Sequence, residues 1–235
     1  MTDPVHVLTG GTGHLGTALA RRLVATGGRL AVSYLIPEEA EAFEAALDVD
    51  EDRLMLRRVD ATSAEQVGGF LDEVAETFGG FQGVAALVGG WAGGRDIAET
   101  DDLRLDRMLD LNLRSAFYAV RAAIPHLRRQ PWGRIVLIGS TAADEAPIGQ
   151  AAFNVAKAGV VALGETAAAE LAEHGITVNV VMPSLIDTPA TRAALPFADY
   201  VDWPDPDEIA SVIEYLLGED AGVVNGAVIP ARGRT

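Results

Sequence analysis

Two groups of residues in this chain have the types and spacing for chemistry. The first is Thr9-Gly10-Gly11-Thr12-Gly13-His14-Leu15-Gly16, directly after the apolar run Val5–Leu8. Glycines in such a loop let backbone amides approach a pyrophosphate, and a helix opening at its end adds partial positive charge. A glycine pattern alone is weak, but this one lies between the first predicted strand and the first predicted helix, the context phosphate binding requires. The second group is Ile138-Gly139-Ser140-Thr141 with Ala152-Phe153-Asn154-Val155-Ala156-Lys157. It places a serine at a strand end, an aromatic thirteen residues later, and a lysine four residues beyond the aromatic. A tyrosine would bring a titratable hydroxyl to position 153; a phenyl ring has no proton to give or accept.

The elements that must position these groups are short apolar runs alternating with longer amphipathic or alanine-rich ones. Predicted strands are Val5–Leu8, Arg29–Tyr34, Arg53–Val59, Gly83–Val88, Gly133–Ile138, Thr177–Val181 and Ala227–Ile229. Predicted helices are His14–Ala25, Glu38–Leu47, Ala64–Phe78, Asp102–Leu127, Gln150–Glu173 and Asp207–Leu217. Ser63 and Gln66 make a capping box for the third helix. Pro206, Asp207 and Glu208 open the last one with a proline and two acids, where both are favoured. Buried-type strands alternating with helices imply parallel pairing through right-handed crossovers. The expected fold class is α/β, a doubly wound parallel sheet of about seven strands with helices on both faces. No composition shift, linker or repeat divides the chain, so residues 1–235 read as one domain.

The composition excludes several classes of function. A net charge of −16 argues against nucleic acid and anionic membranes as partners. The absence of cysteine removes disulfides, thiolate metal sites and cysteine nucleophiles together. No metal site is expected. No signal-type segment precedes the first strand and no apolar run is long enough to span a bilayer, so the expected location is the cytoplasm.

Asn112 lies in Asp110-Leu111-Asn112-Leu113, 28 residues before Ser140. Together with the glycine loop, the set Asn112, Ser140, Phe153 and Lys157 resembles the Asn-Ser-Tyr-Lys tetrad of the short-chain dehydrogenase/reductase family, over essentially the whole chain. The resemblance implies a Rossmann-type domain and hydride transfer through a nicotinamide cofactor. In that family the tyrosine moves the carbonyl proton, the lysine lowers its pKa and holds the ribose, the serine orients the carbonyl, and the asparagine keeps a relay water. Here Phe153 replaces the tyrosine. The glycine loop departs as well: His14 takes the middle glycine's place, where its side chain either crowds the phosphates or hydrogen-bonds to them.

The same resemblance assigns cofactor contacts to Gly10, Thr12, Gly13, His14, Leu15 and Gly16 in the loop. It adds Ser33 and Tyr34 at the end of the second strand, and Asp60 and Ala61 after the third. Asp60 resembles an adenine amino-group acceptor, with a helix cap as its other reading. Val88, Gly89 and Gly90 stand in for the family's Asn-Asn-Ala-Gly. Lys157 reaches the ribose, and Pro183, Ile186 and Thr188 flank the nicotinamide. The second strand ends in Val32-Ser33-Tyr34-Leu35-Ile36-Pro37 without the acid or arginine that chooses between cofactors, and Glu38 and Glu39 begin the next helix. The cofactor is therefore NAD or NADP; the lack of a nearby basic residue leans the choice to NAD.

Residues 190–206 mix Pro, Phe, Tyr and Trp with acids, as a substrate lid or a packed surface loop would. Trp91 suits stacking on a flat substrate or packing in its own loop. Gly89–Gly94, Asp187–Arg192, Ala198-Asp199, Trp203 and Gly233–Thr235 are also similar to the dihydropteridine reductases, a branch of the family acting on a quinonoid pterin. His6, His126 and His174 stand alone and carry no expected chemistry. The family pairs through its long helices, here Asp102–Leu127 and Gln150–Glu173, and the small residues Ala151, Ala152, Ala156, Ala158 and Gly159 permit close approach. A homodimer or homotetramer is expected. Two functions remain open: an oxidoreductase acting on a carbonyl or quinonoid small molecule with its proton relay impaired, and an inactive nucleotide-binding sensor or partner subunit. An engineered Tyr-to-Phe variant of an active enzyme fits the sequence equally.

Overall fold

The computed structural model of the protein describes residues 3–199 and 202–233. Seven strands form one parallel sheet: β1 (Val5–Thr9), β2 (Arg29–Tyr34), β3 (Leu54–Arg58), β4 (Gly83–Ala86), β5 (Gly133–Ile138), β6 (Ile176–Pro183) and β7 (Val228–Ala231). Their order across the sheet is β3-β2-β1-β4-β5-β6-β7. The direction of winding reverses between β1 and β4, which pair from His6 opposite Gly83 to Thr9 opposite Ala86. A crevice must open there beyond the carboxyl ends of the strands, because successive crossovers leave in opposite directions.

The helices are α1 (His14–Ala25), α2 (Pro37–Ala45), α3 (Ala64–Phe78), α4 (Asp102–Leu109), α5 (Ser115–Leu127), α6 (Ala142–Glu145), α7 (Ala151–Leu171), α8 (Pro189–Ala194) and α9 (Pro206–Leu217). Alternating strand residues serve two cores. Val5, Val7, Val84, Ile135, Leu137 and Val180 pack against α3, α5 and α7. Leu8, Leu30, Val32, Ala85, Val136 and Val181 pack against α1, α2 and α9. The expected doubly wound sheet is the one observed.

Several details differ from the sequence-based expectation. Asp102–Leu127 is not one helix: a π-helical turn over Asp110–Arg114 separates α4 from α5 and carries Asn112. Such single wide turns recur at functional sites because they re-aim one side chain. The Ser63 cap is half a capping box. Its hydroxyl accepts from Gln66 N, but the Gln66 amide oxygen accepts from Asp60 N at 2.9 Å. The complete box stands at α9, where Asp205 accepts from Glu208 N at 3.0 Å and Glu208 accepts from Asp205 N at 3.1 Å. Arg53 lies in a 3-10 turn rather than in β3, and β6 runs two residues past Val181.

The small residues of α7 are largely used inside this chain. Ala152 and Ala156 are buried, and a Cβ on Gly159 would come within 2.8 Å of Leu113 on the π turn. Those three bring α7 close to its own neighbours, while Ala158 is exposed on the other side of the helix. Among the described residues, no helix is long and apolar enough to cross a membrane, and no group of His, Asp or Glu could hold a metal ion.

Candidate active site

A cleft of about 1090 Å³ runs along the carboxyl ends of the strands, from the glycine loop to the start of α7. Ser140, Phe153, Lys157 and Asn112 line it, as do Gly10, Gly13, His14, Leu15, Gly16, Gly89, Gly90, Pro183, Ile186 and Thr188. Sequence positions almost 180 residues apart thus share one surface.

Its phosphate end is shaped by close backbone approach. A Cβ on Gly11 would come within 2.7 Å of Val32 Cγ1, and one on Gly16 would strike the Gly11 backbone. Gly13, by contrast, faces open space. It precedes α1 with no side-chain cap, so the first amides of α1 are left to a ligand or solvent. His14 is the first helical residue and is exposed at the cleft.

Lys157 lies on the face of α7 that meets β5. Its Nζ donates to the carbonyl of Ile138 at 2.8 Å and sits 5.8 Å from the centre of the Phe153 ring. Burial pushes its pKa down to about 8, because a desolvated ammonium is disfavoured. Ser140 follows the end of β5, with its hydroxyl accepting from Ala142 N at 3.2 Å. Phe153 is only 9% exposed and packs with Met108, Ala142 and Ala152. Asn112 donates to Gly90 O at 2.9 Å and Met108 O at 3.0 Å, and accepts from Gly90 N at 3.2 Å.

Six predicted cofactor residues lie off the lining of this cleft: Thr12, Ser33, Tyr34, Asp60, Ala61 and Val88. Ser33 is buried, and its hydroxyl is spent on Gly10 N at 3.0 Å, so it shapes the loop from behind. Tyr34 ends β2, with its carbonyl accepting from Val59 N at 2.8 Å. Asp60 accepts from Thr62 N and Thr62 Oγ1 at 2.9 and 2.6 Å, a local turn rather than a helix cap. Ala61 is buried, and Val88 packs against Gly10. Thr188 lines the cleft while its hydroxyl caps α8, accepting from Thr191 N at 3.1 Å.

The structure adds residues the sequence reading missed. Glu39 does begin α2, as expected, but its carboxylate reaches back to Thr12 Oγ1 at 3.3 Å. Arg58, on β3, donates to the Leu35 carbonyl at 3.2 Å, so a guanidinium does stand beside the end of β2. Thr141, Glu145 and Gln150 line the cleft between Ser140 and Phe153, and Glu145 pairs with Arg232. Their place in the segment between two site residues was the available signal. Trp91 lines the cleft and donates to Gln150 Oε1 at 2.5 Å. The 190–206 segment contributes α8 residues and Leu195, Asp199, Asp202 and Trp203 to the lining; Tyr200 and Val201 lie outside the described residues, as do Arg234 and Thr235.

Residues 12–233 match the family model described as enoyl-(acyl carrier protein) reductase. The chain belongs to the short-chain dehydrogenase/reductase family. It is 30% identical to 3-oxoacyl-[acyl-carrier-protein] reductase MabA of Mycobacterium tuberculosis, over 97% of this chain and 90% of that protein. It is 32% identical to 3-oxoacyl-[acyl-carrier-protein] reductase FabG of Aggregatibacter actinomycetemcomitans, over 97% of each. The solved structure of an NAD+-bound xylitol dehydrogenase superposes with a TM-score of 0.90 at 26% identity, covering 99% of both chains. Short-chain dehydrogenase/reductases carry out NAD(P)-dependent oxidoreduction, and this chain is one of their oxidoreductases.

The residues present fit a dinucleotide. The open approach at Gly13, the uncapped first turn of α1 and the side-chain-free positions Gly89 and Gly90 leave a continuous trough ending at Lys157 and Ser140. A bound nicotinamide would supply or take hydride. Among the described lining residues, the side chains offer a hydroxyl at Ser140 and an ammonium at Lys157, and no phenol.

Proposed function

We propose that this chain binds a nicotinamide dinucleotide along the cleft and transfers hydride to or from a carbonyl or quinonoid small molecule, without the phenolic acid at position 153. The observation that carries this reading is the convergence of the glycine loop, Ser140 and Lys157 on one cleft at the sheet's switch point. The amides opening α1 take the pyrophosphate, Lys157 holds the ribose, and Pro183, Ile186 and Thr188 lie against the nicotinamide. Ser140 orients the reacting oxygen. Losing a general acid costs about 10² to 10⁴ in rate, which slows carbonyl reduction and leaves dinucleotide binding intact.

NAD is the preferred cofactor in this reading. The Glu39 carboxylate, held by Thr12 Oγ1 beside the glycine loop, supports this, since an acid near the ribose accepts its hydroxyls and repels a 2′-phosphate. The Nε of Arg58 is committed to the Leu35 carbonyl. Trp91 and the described residues of the 190–206 segment form the substrate side, and those residues act as a substrate lid on one cytoplasmic domain. Assembly is a homodimer or homotetramer. A sensor or partner-subunit role is favoured by one observation, the apolar packing of Phe153 where a proton donor would be needed.

Titration with NADH and NADPH, followed by energy transfer from Trp91 and Trp203, tests the proposal. Saturable binding, tighter for NADH, is expected; binding of neither dinucleotide would refute it. Turnover of any ketone, quinone or quinonoid pterin by the unmodified protein would remove the sensor reading.

A further inference from the structure

We infer that Lys157 is itself the proton donor and acceptor of this site, doing directly the work for which position 153 has no group. This rests on the oxidoreductase function proposed above and assigns the proton in that reaction to a stated atom, Nζ.

The geometry comes first. The Lys157 ammonium is buried and has no carboxylate partner: Ile138 O is its one hydrogen-bond acceptor among the described residues. An ammonium has three N–H groups, so two remain for a ligand or a water. Gly89 leaves it uncovered, because a Cβ there would lie 3.5 Å from Nζ, and Lys157 lines the cleft beside Ser140 and Phe153. A buried cation without a counter-charge is expensive, and clefts are where such groups are kept for function.

Among the described residues, the side chains grouped with Lys157 at the start of α7 offer no substitute, and the titratable His14, Asp199 and Asp202 belong to the glycine loop and the 190–206 segment. Ser140, Asn112 and Phe153 do not ionise near neutral pH. The ionisable groups on the elements packed around α7 stand in other roles. Glu145 on α6 is paired with Arg232, and Asp110 on the π turn with Arg114. Arg104 on α4 donates to Gly93 O. Asp144 on α6, Asp102, Asp106 and Arg107 on α4, Arg121 and His126 on α5, Arg134 on β5, and Glu165 and Glu170 on α7 itself do not perturb Lys157. Its lowered pKa of about 8 has burial as its sole cause. That value leaves the ammonium mostly charged at pH 7 yet able to release a proton, as a general acid requires.

In the reductive direction, the substrate carbonyl carbon accepts hydride from a reduced nicotinamide and its C–O π pair moves onto oxygen. That oxygen takes one proton from Lys157 Nζ, directly or through one water, while Ser140 donates to it. Nζ is left as a neutral amine and regains a proton from solvent at the cleft mouth. In the oxidative direction the neutral amine accepts the hydroxyl proton.

The test has a readout that needs no turnover. In the cofactor-free protein with isotopically labelled lysine, NMR titration of the resonance that disappears in Lys157→Arg should show a midpoint near 8. A midpoint near the ordinary lysine value would overturn the inference. With NADH and a panel of ketones and quinonoid pterin, reduction should fall above about pH 8 and oxidation rise through the same range. Lys157→Arg keeps the charge but does not release its proton, so the turnover number for reduction at saturating NADH should drop by about 10² or more, separately from any change in the dinucleotide dissociation constant. Methylammonium should restore part of the activity of Lys157→Ala. Wild-type turnover in Lys157→Arg, or no turnover of any acceptor by protein that binds dinucleotide, would overturn the proton assignment alone. Binding of neither dinucleotide would overturn the proposed function, and any role for Lys157 in turnover with it.

Discussion

The side-chain amide of Asn112 grips Gly90 from both sides, accepting from its N–H at 3.2 Å and donating to its carbonyl at 2.9 Å. The π turn in which Asn112 sits brings that amide across 22 residues to the loop after β4. Asn112→Leu keeps the volume and leaves Gly90 and Met108 groups unpaired in a buried setting. A loss of about 2–4 kcal/mol is expected, read as a lower urea midpoint at unchanged m. Asn112→Asp should do no better, since a carboxylate cannot donate to the two carbonyls. Wild-type stability of Asn112→Asp would show that the donors are not what matters.

Phe153→Tyr adds one hydroxyl to a ring that already lines the cleft beside Ser140 and Lys157. Because Lys157 already moves the proton, carbonyl reduction should rise by no more than about tenfold while the NADH dissociation constant moves little. A gain of about 10² or more would show that no acid acts in the unsubstituted site. No turnover of any acceptor by either protein would favour the sensor role.

Cofactor choice should follow Glu39 rather than Arg58. Glu39→Ser removes the carboxylate from Thr12 and should narrow the NADH-over-NADPH ratio of dissociation constants by about tenfold, the size of one modest electrostatic contact. Arg58→Ala should leave the ratio unchanged. The reverse pattern, measured by the same fluorescence titration, would assign the ribose end to Arg58.

Acid should weaken the fold through His6. Buried on β1, with no partner for Nδ1, it has its pKa pushed down to about 4 by desolvation, partly offset by a hydrogen bond with the Leu217 backbone. Between about pH 4 and 6.5 the unfolded chain binds this proton and the folded one does not. Stability therefore declines as pH falls through that window, by about 3 kcal/mol in total, and His6 adds no further loss below it. His6→Leu should flatten the pH dependence of unfolding over that range. Parallel slopes for the two proteins would contradict this account.

The sequence was enough for the layered architecture, because strand alternation and helical periodicity record which face of each element is apolar. Arg29–Tyr34, Gly133–Ile138, His14–Ala25 and Ala64–Phe78 keep their predicted bounds, Asp102–Leu127 is broken by the π turn, and the other predicted elements move at their ends by a few residues. It was also enough to single out the glycine loop, Ser140 and Lys157, which the fold brings to one cleft, because their spacing relative to strand ends is local information. Tertiary structure alone decided what distant groups do to one another. It spent Ser33 on Gly10, turned Glu39 onto Thr12, widened the helix at Asn112 and buried the Lys157 ammonium with no counter-charge among the described residues. A one-dimensional pattern carries the period of burial. Hydrogen-bond partners and desolvation depend on which remote backbone groups are folded against a side chain, and no local spacing encodes that.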